Sequence, residues 1–248
     1  MEEIITELSG NVSCVQFNRP SKKNAMTVAM YAALAEELDR ADKNDDVRLA
    51  DFTNHPSGTG DSPQARFFDA LIRFGKPLIA AVHGVAIGGG TTMLLHFDFV
   101  YAAASARFQI PFINLALIPE LASSYTLPRQ IGYLQAADLI FLGEPFSAAR
   151  ANELGLATAV VRDQNVLAKA AEIAMNLARK LVEALRACKK LIKAPDRESI
   201  DQAVSREVGE FAARVRSAEA KEAFAAFFEK RKPDFSSTKA GQTLPKAS

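Results

Sequence analysis

The stretch KPLIAAVHGVAIGGGTTMLLHFDFVYAAA, residues 76–104, constrains this chain most. Its first part, 76–84, is apolar and bounded by Pro and Gly, the mark of a buried strand. It runs through three glycines into a helix, and FDFVYAAA (97–104) returns as a strand. Strands alternating with helices call for an α/β architecture. The flanks agree. NVSCVQFNRP (11–20) predicts a strand closed by Pro20, which cannot donate to a ladder. Residues 27–45 predict a helix, with Thr27 as N-cap and Met30, Tyr31, Leu34 and Leu38 at helical spacing. A second helix is expected over 64–74, and a short strand at ARFQIP.

From Glu120 onward helices dominate. Ser147 is placed to cap AARANELG, with Gly155 as its stop. ATAVV (157–161) is the last strand, and amphipathic helices fill 165–230. In them Phe224, Phe227 and Phe228 make one face, suited to helix packing or a subunit contact. The expected organisation is a core over 1–190, a helical region over 191–233 and a disordered tail over 234–248.

At 248 residues the chain can bury a full core. Lys and Arg total 30 against 29 Asp and Glu, a balance that argues against a nucleic-acid binder. RACKKLIK (186–193) reads as a solvated helix face. Cys14 and Cys188 have no metal-ligand or disulfide-framework spacing, so no metal is expected and a reducing compartment fits. The N-terminus does not read as a signal peptide, LPKAS is not a peroxisomal address, and no apolar run is long enough to span a membrane. The expectation is a soluble, cytoplasmic protein.

Three features could carry chemistry. HGVAIGGG (83–90) leads a strand through glycines to a helix start, where backbone N–H groups favour negative charge. It fits neither nucleotide fingerprint. It could hold an oxyanion that develops during a reaction, or simply allow tight helix–strand packing. Glu120 stands among Leu117, Ile118, Leu121 and Ala122. After Pro119 it could be an ordinary helix-start acid, or a desolvated base with a raised pKa. His55, His83 and His96 are scattered, and Ser123 and Ser124 lack a nucleophile-elbow context, so these read as structural or surface residues.

VQFNRPSKKNAMT, the long run from GKPLIAAVHG to TLPRQIG, LIFLGEPFSAARANELGLATAVV and AFAAFFEKRKPDF together resemble the crotonase superfamily, the enoyl-CoA hydratases and isomerases. The resemblance spans nearly the whole chain in the family's order. It implies a ββα spiral with C-terminal trimerisation helices, and thus a homotrimer or dimer of trimers. It implies an acyl-CoA thioester as substrate, with no further cofactor, and an oxyanion hole of two backbone N–H groups. By its place in the glycine run, Gly89 is implied as one donor. The hydratases' two glutamates are replaced here by Thr92 and Phe112, which disfavours water addition. PELASSYTLP is similar to the Pro-Glu-Gly-x-Ser-Ser-Tyr run of the Δ3,Δ2-enoyl-CoA isomerases, which implies Glu120 as the catalytic base. Thr92, Phe112 and Leu121 are then expected to line the acyl pocket.

One departure stands out. The family has a strand after its first helix, then a loop that supplies the second oxyanion donor and lines the adenine pocket. Here DDVR runs almost directly into LADF, a shortfall near residues 48–50 of roughly 15–20 residues. Either residues that are not neighbours in the full chain are joined here, or half the site is lost. The first is expected, and would stretch the Cα spacing near 48–50 beyond about 3.8 Å.

Overall fold

The structure is a computed structural model, and it describes residues 3–22, 24–44, 49–50 and 62–235. The chain opens with a hairpin, β1 (Ile4–Ser9) and β2 (Val12–Phe17), paired antiparallel with Ile4 opposite Phe17. β1 was not foreseen: after Ile4 its residues are half-buried or exposed, so no apolar alternation announces it. Helix α1 (Val28–Lys43) starts at Thr27, whose hydroxyl accepts the Met30 N–H at 3.1 Å. A two-residue strand, β3 (Leu49–Ala50), then lies parallel to β2 where no core strand was expected. Residues 45–48 and 51–61 lie outside the described residues, and with them the expected stretched link. So do His55 and residues 236–248 of the expected tail. Helix α2 (Pro63–Arg73) is capped by Ser62 and carries Pro63 in its first turn. Met30, Leu34 and Leu38 of α1 join Phe67 and Leu71 of α2 in one apolar cluster. Full burial of each such side chain is worth roughly 1.5–3 kcal/mol.

The spiral follows. β4 (Ile79–Val82) and β5 (Val85–Ile87) are separated by Gly84, at φ 75°. Next come α3 (Gly89–Thr92) and a short 3-10 turn to His96, a smaller helical unit than the sequence suggested. β6 (Phe99–Ala103) and β7 (Arg107–Gln109) form the next turn. Each turn lays one strand in each of two sheets. β4 pairs with β6, and β5 with β7, both parallel. Helices α4 (Ser123–Ile131) and α5 (Tyr133–Leu142) lead to β8 (Phe146–Ser147), which closes the second sheet antiparallel to β7. Helix α6 (Ala148–Glu153) is capped by Ser147, as expected, and β9 (Ala159–Val161) completes the first sheet beside β6.

Four helices end the described chain: α7 (Val166–Ala178), α8 (Val182–Lys193), α9 (Arg197–Val215) and α10 (Ala218–Glu229). Two expectations about them change. On α8, Lys189 is buried, not solvated: its ammonium donates to the Lys76 carbonyl and to Asp98, both at 2.6 Å. On α10 the phenylalanines divide. Phe224 packs against the core, while Phe227 and Phe228 remain exposed.

Candidate functional site

The turn that carries Glu120 is not a helix start. After a 3-10 turn over Pro111–Leu115, α4 begins only at Ser123, three residues beyond Glu120. Leu121 and Ala122 intervene with φ of 64° and 55°. For residues with a Cβ, the left-handed conformation costs roughly 1–2 kcal/mol each. A helix cannot extend back through them, so the helix-start reading of Glu120 is corrected.

Glu207 performs the task that local rules gave to Glu120. It reaches over from α9, buried, and accepts the Ala122 N–H at 2.7 Å and the Ser124 N–H at 2.8 Å. These are the donors left open at the start of α4. Hydrogen bonds to a charged group contribute roughly 1.5–3 kcal/mol each, enough to offset the two left-handed residues. Burial pushes the Glu207 carboxyl up, opposed by the Ser124 and Ala122 donors and by Arg206.

His96 holds the same turn from the other side. It is buried, and its Nε2 donates to the Leu121 carbonyl at 2.7 Å. Burial, then the charge of Lys193, lowers its pKa to about 4, so the ring is neutral. His96 is structural, as expected, but its place beside the site had no sequence signal. His83 is exposed.

The Glu120 carboxylate is thereby directed at the glycine turn. A Cβ added at Gly89 would lie 2.8 Å from Glu120 Oε1 and 4.0 Å from the Tyr31 hydroxyl. The acid rests against a bare glycine Cα, in space that any side chain would fill. Gln64 of α2 donates to Glu120 Oε2 at 3.3 Å. Burial, and secondarily the charge of Glu207, raises the Glu120 pKa to about 7. Burial and the charge of Glu120 push the Tyr31 hydroxyl up to about 12. Sequence reasoning gave Tyr31 only a place on a helix face and did not single out Gln64.

Gly88 turns the chain with φ 58° and donates its N–H to the Gln109 carbonyl at 2.9 Å. Among the described residues the Gly89 N–H, first in α3, donates to no protein acceptor. Thr92 is enclosed, its hydroxyl 3.4 Å from the Gly88 and Gly89 carbonyls. The Phe112 ring lies close to Gly88, 3.7 Å from where a Cβ would stand, and meets Phe211 edge-on. Leu121 is buried in the cluster of α1 and α2. An apolar cleft of about 420 Å³ opens beyond the turn, lined in part by Ile118, Pro119, Phe141 and Glu207; Glu120, Thr92, Phe112 and Leu121 are not in its lining. Among the described residues no acidic, His or Cys cluster could hold a metal ion, and no helix is long and apolar enough to cross a membrane.

A partly buried acid with a pKa near 7, set against the glycine turn after β5, is placed to accept and return a proton. Comparison with known proteins gives the family of the chain. The enoyl-CoA hydratase/isomerase family model matches residues 49–238. The chain therefore belongs to that family of acyl-CoA enzymes, within the crotonase superfamily. It is similar to a 1,2-epoxyphenylacetyl-CoA isomerase of Escherichia coli, 33% identical over 258 residues, covering 95% of this chain and 98% of the relative. That alignment is longer than the chain, so the relative has residues with no counterpart here. It is also similar to enoyl-CoA delta isomerase 2 of Rattus norvegicus, 32% identical over 79% of this chain and 56% of the relative. Among solved structures, an enoyl-CoA hydratase/isomerase of Pseudoalteromonas atlantica superposes with a TM-score of 0.89 at 38% identity, covering 94% of this chain and all of that one.

Proposed function

We propose that this protein is a Δ3,Δ2-enoyl-CoA isomerase with Glu120 as its single acid/base. The observation that carries the reading is the contact of the Glu120 carboxylate with Gly89. It sets the base beside the backbone N–H implied as an oxyanion donor. Glu120 takes a proton from C2 of a 3-enoyl-CoA. The negative charge moves onto the thioester oxygen as a dienolate, which the Gly89 N–H stabilises; removal of such a donor costs about 10²–10³ in rate elsewhere. Protonated Glu120 then returns the proton to C4, leaving the 2-enoyl-CoA. One carboxylate suffices because no water is added. Thr92 and Phe112 stand where the hydratase acids would otherwise be, and with Leu121 they are proposed to line the acyl pocket.

The pKa near 7 suits the role. A base must be unprotonated to accept the C2 proton, so activity should rise with pH through about 7. We further propose that the enzyme works in the cytoplasm as a homotrimer or dimer of trimers, with acyl-CoA as its partner. Absorbance assays with 3-enoyl-CoA and 2-enoyl-CoA separate the possibilities. Rapid 2-enoyl formation that survives Thr92→Ala but drops about 10²–10⁴-fold in Glu120→Gln supports the isomerase. Hydration of 2-enoyl-CoA that Glu120→Gln leaves intact would mean a hydratase instead. Binding of CoA esters without turnover of either would mean a non-catalytic acyl-CoA-binding protein.

A further inference from the structure

We propose that Glu207 of α9 is a positioning residue for the Glu120 base, fixing the turn that carries it and placing a second negative charge behind it. The proposal rests on Glu120 being the base.

The geometry carries the first part. Glu120 is anchored through the backbone of Leu121 and Ala122, both in a conformation that L-residues disfavour. Two contacts from elsewhere in the fold hold that backbone: the His96 ring on the Leu121 carbonyl, and the Glu207 carboxylate on the N–H groups of Ala122 and Ser124. Of these, Glu207 is the charged one. Its two oxygens take one N–H each, so its reach and its planarity both matter. A base displaced by about 1 Å can lose 10² in rate.

The surroundings carry the second part. Glu120 faces the Tyr31 hydroxyl from α1 and the Gln64 amide from α2, while the neutral His96 lies behind Leu121. None of these is a cation. Glu207 is itself partly balanced by Arg206 on its own helix. The near charge that Glu120 feels is therefore negative. A like charge disfavours ionisation and makes the base stronger. This also explains why α4 begins with an acid supplied from α9: an N-cap Ser or Asp in place of Ala122 could accept an N–H of the first turn but not the N–H of residue 122 itself.

The test is the pH profile of isomerisation by the full-length protein, with Glu207→Gln and Glu207→Asp beside Glu120→Gln. Glu207→Gln removes the charge and keeps the shape. It should move the acid limb of kcat/KM down from about pH 7 by roughly half a unit or more, as expected of one partly buried like charge, and lower kcat about tenfold. Glu207→Asp keeps the charge and loses the reach. It should return the limb toward that of the wild type while kcat stays low. A purely structural Glu207 would lower kcat in both variants with the limb unmoved, and that result overturns the proposal. So does wild-type behaviour of both variants. If Glu207→Gln does not fold, Glu207→Asn takes its place beside Glu207→Asp: the two share the same short reach and differ in charge, so an acid limb lower in Glu207→Asn than in Glu207→Asp supports the proposal and coincident limbs overturn it. Should Glu120→Gln remain active, the base assignment itself fails, which is a separate outcome.

Discussion

Two left-handed turns flank the Glu120 carboxylate, and they are made by different means. At Gly88, φ 58° is reached by a residue with no Cβ, so the conformation is written into the local sequence. At Leu121 and Ala122, nearly the same φ is imposed on residues that resist it, and the hold comes from His96 and Glu207, 25 and 85 residues away from their bonding partners. The first turn is autonomous. The second exists only while the fold is assembled. It is the second that carries the candidate base.

The largest effect that could break this comparison is at the glycine turn. Gly89→Ala should cost about a hundredfold or more in isomerase kcat, because its Cβ would stand 2.8 Å from Glu120 Oε1 and push the carboxylate off its mark. Gly90→Ala, whose Cβ meets nothing within 4 Å, is the matched control and should lose far less. Equal losses would mean that the glycines serve packing and not the acid. A smaller effect is expected at the tertiary hold. His96→Ala leaves the Leu121 carbonyl without its donor and opens a buried space, so unfolding by urea should show a loss of roughly 2–4 kcal/mol. A loss under half a kcal/mol would show that the turn stands without it. The smallest change should come from Ala122→Gly. Relief of the left-handed backbone, roughly 1 kcal/mol, is set against a buried methyl of about 0.8 kcal/mol and a looser unfolded chain. The net should be near zero, and a clear loss would mean that Ala122 is not strained.

What could be read from the sequence divides along the same line. Helices with their own caps were legible: Thr27 and Ser147 accept the N–H groups their positions suggested. So were the apolar strands of the spiral, although β5 was hidden because Val85–Ile87 sits between glycines and read as part of the loop. The strand β1 was missed because its pairing to β2 is made by backbone bonds that leave little pattern in the side chains. At the candidate site, the apolar setting of Glu120 and the glycine run were visible locally, and the resemblance singled out Glu120 and Gly89. Glu207 and His96 did not stand out, since one acid among the four of α9 and a lone histidine in an apolar run have many uses. What selects one use is a meeting of segments far apart in the chain, and no local pattern records it.

The reach of Glu207 also bears on how the protein is made. The donors it satisfies lie 83 and 85 residues earlier in the chain. A ribosome therefore releases the glycine turn, the base and most of the spiral well before the residue that sets the base in place. Closing so long a loop is slow compared with forming the hairpin or the first helices. The turn is thus completed by a helix made well after the spiral. A nascent chain stopped short of α9 would keep His96 on the Leu121 carbonyl but leave the Ala122 and Ser124 N–H groups without the Glu207 carboxylate, so the candidate base would stand on a half-held turn.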